Sequence, residues 1–142
     1  MIRTFVDTGV LILFARVDVR DQLRVMPFMY DPQRRFVVSP FVELELLPTP
    51  MRTGRADQLK FYREFLTKAE WIVDLKKIVE ETFEVLLETS MPLADALHVG
   101  AASAADCDEL LTSERPGRAM FANRRVKVVS IGDSFQRSGN SV

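Results

Sequence analysis

Acidic residues at five positions stand where chemistry could be done: Asp7, the neighbours Glu43 and Glu45, Asp95, and Glu114. Asp7 follows the β-type run Ile2 to Val6. Glu43 and Glu45 follow Ser39-Pro40. Asp95 opens a stretch rich in small residues, Ala101, Ala102, Ala104 and Ala105. Glu114 follows the apolar run Glu109 to Thr112. Carboxylates brought together repel one another, and a buried unpaired one is costly, so a convergent set needs a cation. Oxygen-only donors select hard ions, Mg²⁺ or Mn²⁺. Such a site suits hydrolysis of a phosphodiester, because the ion orients a water, lowers its pKa and offsets charge on the phosphoryl oxygens. The bland reading is that these acids are solvated. The chain holds 20 Asp and Glu residues, and most acids on any domain are surface groups.

For the acids to meet, the elements beneath them must run in one direction. Ile2 to Val6, Arg35 to Ser39, Glu109 to Leu111 and Val126 to Val129 read as strands, and Glu70 to Val73 as a short strand or extended connector. Between them lie helical stretches: Val10 to Arg16, Val19 to Tyr30 with Asp18 as its N-cap, and Pro40 to Leu47 capped by Ser39 and ended by Pro48 and Pro50. Arg55 to Ala69, Leu75 to Thr89 capped by Asp74, and the Asp95 helix follow. Ile78, Val79, Phe83, Leu86 and Leu87 are expected to face inward. Strands separated by helices imply an α/β fold, a three-layer sandwich with a mainly parallel central sheet. In such sheets ligands sit outside the carboxyl ends of the strands. Asp7, the Glu43/Glu45 pair and Glu114 all come shortly after a strand, so acids distant in sequence can share one edge.

Composition narrows the class. A chain of 142 residues with a formal net charge of −1 has room for a real core and no global attraction to polyanions. Phosphate contacts must come from a local patch. Arg115 and Arg118, directly after Glu114, are the first candidates, ahead of Arg34-Arg35 and Arg124-Arg125. The single cysteine, Cys107, excludes an internal disulfide and fits a reducing compartment. Val10 to Ala15 is too short to span a bilayer. A cytoplasmic protein without a membrane segment is expected. His98 reads as a packed or hydrogen-bonded histidine with no catalytic role.

Four pieces in order, Phe5-Val6-Asp7-Thr8, Ser39-Pro-Phe-Val-Glu43-Leu-Glu45-Leu, Pro92-Leu-Ala-Asp95-Ala-Leu-His98 and Leu110-Leu-Thr112-Ser-Glu114, resemble the PIN-domain proteins of the VapC toxin group. The resemblance covers nearly the whole chain. It implies one PIN-like, Rossmann-like domain over residues 1–132, followed by a polar tail at 133–142. It implies a Mg²⁺- or Mn²⁺-dependent endoribonuclease, the toxin of a type II toxin–antitoxin pair, with RNA as substrate. It further implies a cognate antitoxin and a homodimer. Asp7, Glu45, Asp95 and Glu114 match the family's four acids, and Thr8 and Thr112 its supporting hydroxyls. Glu43 is the rival of Glu45. Two helical positions apart point about 200° away from each other, so both cannot face one ion, and Phe41 and Val42, one turn earlier, share the Glu45 face. Glu114 stands where the family usually carries Asp. That departure keeps an alternative open: a non-catalytic PIN module that binds RNA or a protein partner.

Overall fold

The structure is a computed structural model that describes residues 1–132; the polar tail expected at 133–142 lies outside the described residues. Strands β1 (Ile2–Val6), β2 (Arg34–Val38), β3 (Glu70–Trp71), β4 (Glu109–Thr112) and β5 (Lys127–Ser130) form one sheet in the order β3-β2-β1-β4-β5. Every ladder is parallel, with Phe5 opposite both Val37 and Leu110. Parallel strands covered on both faces need apolar residues on both sides. Phe5, Val6, Val37, Val38, Leu110 and Leu111 are accordingly all buried.

Helices α1 (Thr8–Ala15), α2 (Val19–Met29), α3 (Pro40–Leu46), α4 (Pro48–Thr53) and α5 (Ala56–Lys68) lie within the first three strands, and α6 (Leu75–Glu88) and α7 (Leu93–Ala104) lead to the fourth. The steps β1→β2→β3 move outward one way, and β3→β4 returns past β1 to the other side. Right-handed crossovers therefore put α1–α5 on one face and α6–α7 on the other, giving three layers. The strand order reverses between β1 and β4, and an open α/β sheet has its binding crevice at that point. Among the described residues no helix is long and apolar enough to cross a membrane.

The caps read from sequence are present. Asp18 accepts from Arg20 N and Asp21 N, Ser39 from Phe41 N, and Asp74 from Lys77 N. Pro48 and Pro50 do more than end α3. Both sit inside α4, which starts at Pro48 directly after the Leu47 junction; proline is tolerated in a first turn, where its missing N–H has no partner to lose.

The expectation that all five apolar residues of α6 face inward is corrected. Ile78, Thr82 and Val85 form the buried stripe, while Val79 (57% exposed), Phe83 (61%), Leu86 (39%) and Leu87 (68%) face outward. The helix is apolar on several sides, and only one stripe can meet α7. Gly100 of α7 selects that stripe, for a Cβ placed there would stand 2.1 Å from Thr82 Oγ1 and 2.9 Å from the Thr82 backbone. The small residues of α7 permit this approach. Ala96, Val99, Ala101, Ala102 and Ala104 are all buried between α6 and the sheet.

Candidate active site at the carboxyl edge of the sheet

Asp7 leaves β1 at the switch point and occupies the N-cap position of α1, yet its side chain makes no capping bond. Its Oδ2 accepts instead from Thr112 Oγ1 at 2.8 Å, across the gap to β4. The Thr112 hydroxyl also accepts from Glu114 N at 3.1 Å. One buried hydroxyl thus ties the ends of β1 and β4 together and turns the Asp7 carboxylate toward the crevice. A Cβ at Gly9 would come within 2.3 Å of Ser113 Oγ, a hydroxyl that would have to turn aside.

Glu45 reaches the same crevice from α3. Its Oε1 accepts from Thr8 Oγ1 at 2.9 Å and from His98 Nε2. His98 Nε2 also stands 3.7 Å from Asp7 Oδ1. Glu43 is exposed, as Glu45 is, but has no such side-chain partner among the described residues; of the two rivals it is Glu45 that the site engages. The His98 bond, followed by charge and by the Thr8 bond, holds Glu45 below the usual carboxylate range against the upward pull of burial. For His98 itself, burial pulls the pKa down, but the Glu45 bond and the charges of Asp7, Glu45 and Asp95 outweigh it, and the net direction is up.

Asp95, in the first turn of α7, is half-buried. Its pKa is raised, first by burial, then by the negative charges of Asp7 and Glu114, and last by that of Glu45, with His98 acting the other way. Asp95 therefore feels all three of the other acids. Glu114 sits at the rim, 3.4 Å from Arg118 Nε, and its main-chain oxygen accepts from Ser130 Oγ of β5 at 2.6 Å. Arg115 and Arg118 are exposed beside it.

The structure thus brings Asp7, Glu45, Asp95, Glu114, Thr8 and Thr112 to one edge, with Arg115 and Arg118 on its rim. Among the described residues no group of three or more acids, histidines or cysteines stands in an arrangement that would hold a metal ion as it is. The donor set nevertheless fits one. Four carboxylates, one with its pKa pushed up first by burial and then by the other three, make an electrostatic demand that a hard dication meets with oxygen ligands. Sequence reasoning missed His98 as a member of the site. The signal was its place three residues after Asp95, on the same helix face, in a chain with no other histidine.

The fold is that of VapC toxins. The chain is similar to VapBC2 from Rickettsia felis bound to a DNA fragment from its promoter (TM-score 0.71, 13% identity, 91% of this chain and 98% of that one). It is similar to a chain of a toxin–antitoxin complex from Klebsiella pneumoniae (0.68, 20%, 90% and 97%). It is also similar to VapC20 of Mycobacterium tuberculosis, a Sarcin-Ricin loop cleaving toxin (0.64, 18%, 88% and 98%). No protein-family model and no curated protein matches the sequence.

Proposed function

We propose that this chain is a metal-dependent endoribonuclease, the toxin of a type II toxin–antitoxin pair, acting on RNA in the cytoplasm. The observation that carries this reading is the gathering of acids from four elements at the β1/β4 switch point, where burial first, and then the charges of Asp7, Glu114 and Glu45, raise the pKa of Asp95. A toxin of this fold that cleaves the Sarcin-Ricin loop supports the same class of chemistry.

Asp7, Glu45, Asp95 and Glu114 would hold Mg²⁺ or Mn²⁺. When bound, such an ion supplies an activated water and offsets charge on the scissile phosphate. The protein's own groups set the stage. Thr112 fixes Asp7, and Thr8 and His98 fix Glu45. Asp95, half-open to solvent, is the acid next to which an incoming cation gains most. Glu114, one methylene longer than Asp, lies at the rim beside Arg118. Arg115 and Arg118 meet the RNA phosphates there, contacts that hold the strand without reading its bases.

Two partners belong to this reading: an antitoxin and a second copy of the chain. A groove of about 530 Å³ near α2, lined by Phe14, Leu23, Met26, Tyr30 and Phe61, offers an apolar seat for the antitoxin. The outward face of α6 offers one for the second copy. Similar chains in VapBC and toxin–antitoxin assemblies support the antitoxin as partner.

The test is cleavage of a mixed RNA pool by the purified chain. With Mg²⁺ or Mn²⁺ it should fragment RNA, and Asp7→Asn should lower the rate at least ~100-fold, the order expected on losing a transition-state interaction. Undiminished wild-type cleavage in excess chelator overturns the reading. One observation favours the second reading, a module that binds without cutting: Glu45 is already engaged by His98 and Glu114 by Arg118. RNA binding without turnover, unchanged by Asp95→Asn, would establish it instead.

A further inference from the structure

We propose that His98 is a positioning residue for Glu45: it donates Nε2–H to Glu45 Oε1, selects Glu45 over Glu43 as the second acid, and leaves Oε2 free to ligate. The proposal rests on the nuclease reading of the site.

Glu45 is far more open to solvent than Asp7, whose side chain is 11% exposed. The Glu45 side chain is 41% exposed, on a helix of only seven residues. A long, flexible glutamate loses rotamer freedom when it is fixed, so an anchor must hold it. His98 is the opposite kind of residue. It is 2% exposed, on the buried helix α7, and its ring packs at 5.9 Å and 41° against Phe5 of β1. Its Nδ1 is buried with no hydrogen-bond partner among the described residues. The ring is thus oriented by packing and by its Nε2 contacts alone.

A carboxylate accepts and does not donate, so the proton of the bond lies on Nε2. This holds whether the imidazole is neutral or charged. Thr8 Oγ1 converges on the same oxygen. Both donors therefore fall on Oε1, which fixes the carboxylate plane and leaves the second oxygen for a ligand. Partners that orient a ligating group in this way are typically worth about 10- to 100-fold in metal affinity.

The experiment compares His98→Leu, which fills the space without a donor, with His98→Gln, whose amide N–H reaches a similar distance. Mn²⁺ binding to the purified chain is read by calorimetry alongside RNA cleavage. His98→Leu should weaken Mn²⁺ binding at least ~10-fold, while His98→Gln stays within ~3-fold of wild type. In the Glu45→Ala background, His98→Leu should cause no further loss. Equal affinities for the Leu variant and wild type, or a full additional loss in the Glu45→Ala background, overturn the proposal.

A second measurement does not depend on any His98 variant folding. The chain has a single histidine, so its imidazole ¹⁵N spectrum reports His98 alone. Nε2 should carry the proton, and its resonance should move on Glu45→Ala; an unmoved resonance overturns the proposal. Asp95→Asn separates the two layers of the argument. If it leaves Mn²⁺ binding intact, the metal-site reading fails and the positioning role falls with it. If it weakens binding while His98→Leu does not, only the positioning role fails.

Discussion

At the scale of single residues, the environment of each acid differs more than its chemistry. Asp7 is fixed by Thr112, Glu45 by Thr8 and His98, and Asp95 by neither. Asp95 carries the cost of its own burial and, after that, of the charge gathered around it, with a folded-state pKa raised above its ordinary 3.8. The sign follows directly. The folded chain holds this proton more tightly than the unfolded chain, so the cost is absent below pH 3.8, grows as pH rises through the raised value, and is fully present at neutral pH. Asp95→Asn should therefore raise Tm in chelator at pH 7, with the increment shrinking as the pH is lowered. Solvent screens a half-exposed carboxyl, so the gain should stay below about 1 kcal/mol, or ~3 °C for a chain of this size. Adding Mn²⁺ should reverse the order, because only the wild type keeps the ligand. Thermal melts at pH 5 and pH 7, with and without Mn²⁺, decide this; a variant that melts lower than wild type in chelator at pH 7 sinks it.

At the scale of elements, the α6–α7 contact decides where His98 and Asp95 stand. Both lie on α7, and α7 is seated by Gly100 against Thr82. Gly100→Ala would normally help a helix by about 1 kcal/mol. Here the added methyl meets main-chain atoms at 2.9 Å, which no side-chain rotation relieves. Overpacking typically costs about 1–3 kcal/mol, so the variant should lose at least ~2 kcal/mol of stability in denaturant melts and cleave RNA more slowly, since α7 must shift. An unchanged midpoint would show that the two helices can separate freely. The same contact explains the misread face of α6. Apolar residues at 78, 79, 83, 85, 86 and 87 permit more than one inward stripe, and periodicity alone does not choose among them.

At the scale of the whole molecule, the two ends of the sheet do different work. The carboxyl end gathers the acids. The opposite end is fastened by a partly buried ionic network centred on the buried Glu109. Arg34 Nε of β2 donates to Glu109 Oε2 of β4 at 2.8 Å, and Thr4 Oγ1 of β1, lying between them, donates to the same oxygen at 2.8 Å. Arg34 also pairs with Asp31 at 2.6 Å and stacks over Phe28. Removing one partner of a buried pair strands the other, at a typical cost of about 3–5 kcal/mol. Arg34→Met should thus lower unfolding stability by roughly 3 kcal/mol, and Arg34→Met with Glu109→Leu should recover much of it. Mn²⁺ affinity, measured well below the melting point, should change less than ~2-fold, because the acids lie at the far end of the strands. A single-variant loss below ~1 kcal/mol would mean that the pair adds nothing net.

The sequence by itself determined the alternation of strands and helices, the caps at Asp18, Ser39 and Asp74, and the α/β class, because hydrophobic period and capping chemistry act over a few residues. It also put forward Asp7, Glu45, Asp95 and Glu114, through the order of four short pieces, while the 200° separation ruled out only that Glu43 and Glu45 face one ion together. It did not reveal that Asp7 declines its local cap for Thr112, or that His98 stands between Glu45 and Asp7. Those contacts join residues 105, 53 and 91 positions apart, and only the parallel order of the sheet brings them within reach. Local energetics fix what each segment is; which segments touch is decided when β1 pairs with both β2 and β4 and α7 closes over them.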